Sequence, residues 1–313
     1  MLRRVLILLG LALAAGSGLL FGLYSYPPSI WPVPLIRSAV FGDDTSQRFR
    51  GTYGEAGRLI AYPGKAEVPC PASGPDTAVV LAIGQSNIAN HSEKRVTSRH
   101  RSEVVNFFGG KCYRAASPLL GATGEEGEFL TLLGDRLVDG GVYRSVVIVS
   151  SAIGASSIAM WRKGGVLNAL LLHVLNGLPP GYRITQVLWL QGETDYADVS
   201  PAEDYTAAFR SLLDTLADGG VTAPVFLSVA TRCFPAWKAD NPTAGAQRLL
   251  VDDRRVFLGA DTDALLADTD RRPDGCHFGA SGQQKAASAF AAAIERVRSG
   301  GAPRSAAPSP SGR

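Results

Sequence analysis

The sequence predicts an α/β fold, a three-layer α/β/α sandwich around a parallel five-stranded sheet. Five short apolar runs, at residues 78–83, 104–107, 145–149, 185–190 and 225–229, have the length and continuity of strands buried on both faces. Stretches with helical spacing lie between and after them, at 129–138, 166–178, 202–217, 244–251 and 283–297. Polar clusters follow directly behind several apolar runs, where an open parallel sheet places its ligands. Strands alternating with helices in this way call for one sheet covered on both faces.

Taken in order, the chain begins with Arg3 and Arg4 before an uncharged run over residues 5–24. At about 1.5 Å per residue such a run crosses roughly 30 Å of hydrocarbon. Residues 1–25 therefore read as a signal-anchor transmembrane helix, with the flanking arginines inside and the bulk of the chain outside the cytoplasm. The small residues at 14–18 leave a cleaved signal peptide, and hence a secreted protein, as the alternative. Residues 26–75 read as a juxtamembrane linker and irregular lead-in, stiffened by Pro27, Pro28, Pro32 and Pro34. The main domain spans 76–298, and the tail 299–313, made of Gly, Ala, Pro, Ser and Arg, reads as disordered. Within the domain, Ser200-Pro201-Ala202-Glu203 gives a helix start with Ser200 as its cap and Pro201 at the first helical position; Asp218-Gly219-Gly220 ends the same helix. The apolar piece at 256–258 fits either a short sixth strand or a loop.

Bulk numbers narrow the functional classes. The chain has 313 residues, 46% hydrophobic and 19% charged, with a formal net charge of +3, so nothing points to a nucleic-acid partner. Cys70, Cys112, Cys233 and Cys276 include no Cys-x-x-Cys pair, which argues against a zinc ribbon or a thioredoxin-type site, and their even number suits two disulfides in an exported domain. There is no His-Glu-x-x-His helix, no phosphate-cradling Gly-Lys loop and no dinucleotide fingerprint, so the sequence calls for neither a metal nor a cofactor. Nor is there a lipase-type Gly-x-Ser-x-Gly elbow, because the residue two after Ser86 is Ile88.

The first apolar run stops at Gly84-Gln85-Ser86-Asn87. A serine there is either a turn or cap residue or a nucleophile, and a nucleophile needs a base, an orienting acid and donors for an oxyanion. Behind the third run comes Ser150-Ser151-Ala152-Ile153-Gly154, and behind the fourth Gln191-Gly192-Glu193-Thr194-Asp195. The last helix is preceded by Asp274-Gly275-Cys276-His277. An acid three residues before a histidine can hold the imidazole at Nδ1 and leave Nε2 to take a proton from Ser86. Each piece alone has an ordinary structural use; their coincidence at successive strand ends points to serine-hydrolase chemistry.

Gly84-Gln85-Ser86-Asn87, Gly154 followed by Trp161, Gln191-Gly192-Glu193-x-Asp195 and Asp274-x-x-His277 resemble the sequence blocks of the SGNH hydrolase superfamily, in particular its sialate O-acetylesterase-like branch with carbohydrate esterase family 6. The resemblance runs from about residue 76 to 297. It implies a flavodoxin-like sheet of order 2-1-3-4-5 and removal of acetyl groups from an acetylated carbohydrate. Carried over by position, it implies Ser86 as nucleophile, His277 as general base and then acid, and Asp274 as the residue orienting His277. The N–H groups of Ser86 and Gly154 are expected to form the oxyanion hole, with the Gln191 amide as a third donor. Gln85, Asn87, Glu193 and Asp195 are expected to be site scaffold.

Because Cys276 sits between Asp274 and His277, a bond to Cys233 behind the fifth run would brace the histidine loop, leaving Cys70 to pair with Cys112. Two other connectivities exist. Chemically, each well-aimed oxyanion donor contributes roughly 3 kcal/mol of transition-state stabilisation. The same triad could pass the acetyl group to an exported polysaccharide instead of water, and a non-catalytic sugar-binding protein on the same fold is the third reading.

Overall fold

The computed structural model describes residues 50–233 and 237–300. The proposed anchor, the first half of the lead-in and residues 301–313 of the tail lie outside the described residues. No helix among the described residues is long and apolar enough to cross a membrane.

The strands are β1 (Thr52–Tyr53), β2 (Leu59–Ala61), β3 (Glu67–Val68), β4 (Thr77–Gly84), β5 (Val104–Phe108), β6 (Lys111–Arg114), β7 (Ser145–Ser150), β8 (Gln186–Leu190), β9 (Val225–Val229) and β10 (Val256–Asp261). The helices are α1 (Leu130–Asp139), α2 (Val166–Asn176), α3 (Glu193–Ala197), α4 (Ala202–Asp218), α5 (Pro242–Leu250), α6 (Thr262–Leu265) and α7 (Ala280–Arg298). All five predicted strands and all five predicted helices are present.

The sheet has eight strands rather than five, in the order β10-β9-β8-β4-β7-β5-β6-β3. The first six of these pair in parallel, and β6 and β3 extend the edge antiparallel. The open piece at 256–258 is part of the sixth parallel strand, β10, paired to β9. Counted along the parallel strands alone, the order is 2-3-1-4-5-6 and not 2-1-3-4-5. The difference is the place of β7, which pairs with both β4 and β5 and so separates them, while β5 turns straight back into β6 on its other side.

Alternation along the strands divides the core. Val79, Leu81 and Ile83 of β4 face one layer with residues of α2, α4 and α5, while Ala78, Val80 and Ala82 face the other with α1 and α7. Every residue of β4 is buried. On the first face Trp189 of β8 meets Trp161 edge to face, with ring centroids 5.7 Å apart, and Phe209 of α4 at 5.8 Å.

Two local expectations are corrected. Pro201 sits at the cap of α4 and not inside it, and the Ser200 hydroxyl donates to Asp195 (3.0 Å) instead of capping the helix. The lead-in is structured from residue 50 onward: β1 and β2 form a hairpin, and the Glu125 carboxylate accepts the N–H groups of Arg50 and Gly51. The structure joins Cys70 to Cys112 and Cys233 to Cys276. The first bond ties the lead-in to β6, at the sheet edge.

Candidate active site

The site forms where β4, β7 and β8 end together. Gly84 closes β4 with φ of +133°, and a Cβ there would lie 2.0 Å from the Leu190 carbonyl oxygen, so only glycine lets the two strand ends approach. The chain then makes a single 3-10 turn over Ser86–Ile88. Gln85 anchors that turn: its N–H donates to Leu190 O (2.9 Å), and its Oε1 accepts from the N–H groups of Gly192 and Thr194 and from Gln191 Nε2. Ser86 is 6% exposed, and among the described residues its N–H has no acceptor.

Behind β8, Gly192 has φ of +151° and its Cα is packed against the Ala230 carbonyl and the Gln247 amide, again leaving no room for a side chain. Asp195 holds the loop after β7 by accepting the Ile158 N–H (2.8 Å), and burial raises its carboxyl above the usual range. Gln191 is fully buried. Its Nε2 is surrounded by three acceptors, Gln85 Oε1 (3.2 Å), Ser156 O (3.0 Å) and Asp195 Oδ2 (2.5 Å), which fixes the amide with its oxygen, not its nitrogen, unpaired. The Gly154 N–H also has an acceptor, the Thr123 hydroxyl at 2.8 Å.

On the opposite side, Asp274 organises its own turn. Oδ1 accepts the N–H groups of Cys276 and His277 (2.9 Å each), and Oδ2 meets His277 Nδ1 at 2.8 Å. Burial alone would raise the Asp274 carboxyl, but the His277 ring and these two amides outweigh it and hold it well below the ordinary carboxylate range. With Nδ1 facing a carboxylate it carries the proton, and Nε2 is left as the basic nitrogen.

Asn87 joins the two sides. It follows Ser86 in the chain, is fully buried, and accepts the Phe278 N–H (3.0 Å) while donating to Cys276 O (3.3 Å). Its amide also donates to Glu193 Oε1 (2.8 Å). The two residues flanking His277 are therefore both bound to the residue next to Ser86, which sets the serine turn and the histidine loop side by side. Burial pushes the Glu193 carboxyl up to about 7, against the pull of the Asn87 hydrogen bond.

Residues 76–296 match the family described as carbohydrate esterase, sialic acid-specific acetylesterase. The chain belongs to that family. It is accordingly a hydrolase of ester bonds of the carbohydrate O-acetylesterase class. Among solved structures it is similar to a protein from Arabidopsis thaliana, with 15% identity, a TM-score of 0.55, and coverage of 71% of this chain and 98% of that one. A carbohydrate acetylesterase from Xanthomonas citri has 19% identity and a TM-score of 0.50, covering 71% of this chain and 57% of that one. The structure called NanS has 15% identity and a TM-score of 0.52, covering 74% and 99%. At these identities the likeness is one of fold. A search of curated protein sequences finds no match.

In this carbohydrate esterase His91 and Arg271 stand beside the histidine loop, and the sequence did not single them out. His91 stacks on His277, with ring centroids 5.5 Å apart and planes 22° from parallel, and its Nε2 lies 3.2 Å from Thr123 Oγ1. Burial, with His277 and Arg272 nearby, keeps its imidazole well below the ordinary histidine range and so neutral. Its only sequence signal is a histidine five residues past Ser86 in a chain with four. Arg271 braces the histidine loop by donating to Cys276 O (2.8 Å). Arg232, which by its place behind the fifth run reads either as a contact for an anionic substrate group or as a solvated loop charge, meets Asp268, the Leu266 carbonyl and the Trp237 ring.

Proposed function

We propose that the protein removes O-acetyl groups from carbohydrate by an acyl-enzyme mechanism in which Ser86 is the nucleophile, His277 the base and Asp274 the residue that orients it. The observation that supports this reading is the Asn87 bridge: the residue after Ser86 hydrogen-bonds both neighbours of His277, whose Nδ1 meets Asp274 Oδ2, and among the described residues His277 Nε2 has no hydrogen-bond partner. Ser86 Oγ attacks the acetyl carbonyl while its proton passes to His277 Nε2. The negative charge that builds on the carbonyl oxygen is met by the free Ser86 N–H, at the start of the 3-10 turn. When the tetrahedral species collapses, the bond to the sugar oxygen breaks and His277 returns the proton to that oxygen. Water then attacks the acetyl-Ser86 ester with His277 again as base, releasing acetate and restoring the serine. Asp274 stays ionised throughout and stabilises the imidazolium.

The base side of the site is open, with the His277 and Asp274 side chains 22% and 33% exposed. Water can reach the acyl-enzyme, which favours hydrolysis over transfer to a second sugar. Two disulfides fit an oxidising compartment outside the cytoplasm. The reading further holds that residues 1–25 anchor the domain on the outer side of the membrane; recovery of the full chain in the soluble fraction of gently lysed cells would contradict the anchor. For the activity itself, the test is release of p-nitrophenol from its acetyl ester and of acetate from O-acetylated sugars, beside Ser86→Ala. Serine-dependent release from both is expected; release that survives Ser86→Ala, or none from folded protein, overturns the reading.

A further inference from the structure

The turn that carries Asp274 and His277 is closed by Arg272. Its N–H donates to His277 O (2.7 Å), and its own carbonyl accepts the Gly275 N–H (2.9 Å). The side chain then leaves the loop for the serine side. Nη1 donates to His91 O (2.9 Å) and meets the Glu126 carboxylate. Nε lies 3.9 Å from Asp274 Oδ2, the oxygen that faces His277 Nδ1. At that distance the contact is one of charge and not a hydrogen bond.

The two acceptors outside the loop belong to one unit. The Glu126 N–H donates to Asn90 O (2.9 Å), which binds the segment before α1 to the residue preceding His91. The His91 ring in turn stacks on His277. One guanidinium therefore touches both the acid that holds the His277 ring at Nδ1 and the segment whose histidine covers that ring's face. The Asn87 bonds reach only the backbone of Cys276 and Phe278, not the ring between them.

Stability alone does not account for an arginine at this place. Its pair with Glu126 is open to solvent, the two side chains being 29% and 49% exposed, and exposed ion pairs contribute little. What the planar guanidinium adds over a point charge is the ability to serve acceptors in different directions at once. We infer that Arg272 is a positioning residue for the base: its guanidinium sets the orientation of the His277 ring by tying Asp274 and the His91 segment to one another. This rests on Ser86 being the nucleophile and His277 the base. No contact of Arg272 with substrate is involved, so its loss is felt in turnover and not in binding.

The experiment is steady-state hydrolysis of p-nitrophenyl acetate by the full-chain protein and by Arg272→Gln, Arg272→Lys, Arg272→Ala and Ser86→Ala, with the thermal midpoint of each recorded. Arg272→Ala is assayed again with ethylguanidinium at tens of millimolar. Arg272→Gln is expected to lower kcat roughly 30-fold, as a base out of line does. Because His277 serves both acylation and deacylation, the two steps slow together and KM should stay within about twofold. Arg272→Lys keeps the charge beside Asp274 and is expected to recover to within about fivefold of the parent. Ethylguanidinium should raise the Arg272→Ala rate at least roughly threefold, a response that a role in folding does not give. Parental kcat in Arg272→Gln overturns the inference, as does a rise in KM at unchanged kcat, which would mark a substrate contact. Equal losses in the Gln, Lys and Ala variants without rescue also overturn it, since they would mark a packing role. Absence of Ser86-dependent turnover in the parent overturns the site reading and this inference with it; Ser86-dependent turnover that stays parental in Arg272→Gln overturns this inference alone.

Discussion

Ser86 leaves the end of a strand that is paired on both sides and buried along its whole length, whereas His277 lies in a loop whose own acid is one-third exposed. The position of the serine turn is set by the β4–β8 ladder, by the Gln85 N–H on Leu190 O and by the Gln85 side chain, which accepts from the segment behind β8. The histidine loop has no strand beneath it. It is held by cross-links instead: Asn87 on both flanks of His277, Arg271 on the Cys276 carbonyl, and the Cys233–Cys276 bond. Disturbance of the nucleophile side should therefore appear as lost folding, and disturbance of the base side as lost turnover in a folded protein.

The largest effect tests the shared chemistry of the two sides. Replacing either Ser86 or His277 by Ala should lower kcat by at least roughly 10³-fold, with the double variant no worse than either single, because the two act as a unit. Additive losses in the kinetics would separate them.

Next comes the bridge. Asn87→Ala leaves the Phe278 N–H without its partner and takes one hydrogen bond from the buried Glu193 carboxyl, and is expected to cost about 2 kcal/mol in denaturant unfolding. It should also lower kcat by roughly tenfold or more, as a misplaced base does. Equal stability loss with parental kcat would show that His277 is positioned by its own loop.

The two disulfides offer a matched pair, since they close loops of nearly equal length, 42 and 43 residues apart in sequence. On the chain-entropy account each contributes about 4 kcal/mol. Replacing both cysteines of either pair by Ala should lower stability by similar amounts, but only the Cys233–Cys276 variant should lose several-fold in kcat, because only that bond touches the residue before His277. Equal activity in the two variants would break the distinction between the sides.

The smallest effect is a pH dependence. Glu193 has its carboxyl raised from an ordinary 4.5 to about 7 by burial, so the unfolded chain loses this proton before the folded one does. The contribution of Glu193 to stability is then fully present below about 4.5 and is lost as pH rises toward 7, levelling off above it. Glu193→Gln keeps the oxygen that accepts from Asn87 and should flatten that part of the profile, read from unfolding midpoints between pH 5 and 8. An unchanged slope would place the titration elsewhere.

The same contrast explains what could be read in advance. The β4 side was legible because strand, glycine and serine are contiguous, and a buried parallel strand announces itself by an unbroken apolar run. Asp274 and His277 were legible for the same reason, three residues apart in one turn. The orientation of Gln191 was not, since it depends on three acceptors from Gln85, Ser156 and Asp195 meeting in space. Thr123 lies in a stretch with no periodicity, and its place beside Gly154 exists only once β7 and the loop before α1 have packed. Strand order escaped as well: β4, β5 and β7 are all buried on both faces, and nothing in their composition says which lies between the others. The antiparallel β6 and β3, only four and two residues long, are too short to show a pattern.

The account's central claim is that Ser86 becomes acylated with His277 as its base. The most direct measurement is the mass of the Ser86-containing peptide after the full-chain protein reacts with a p-nitrophenyl alkylphosphonate, which traps a serine nucleophile as a stable ester. A single phosphonyl adduct on Ser86, formed in step with loss of esterase activity and greatly slowed in His277→Ala, is the predicted result. Inactivation with the adduct on another residue, or rapid modification of Ser86 without His277, would contradict it.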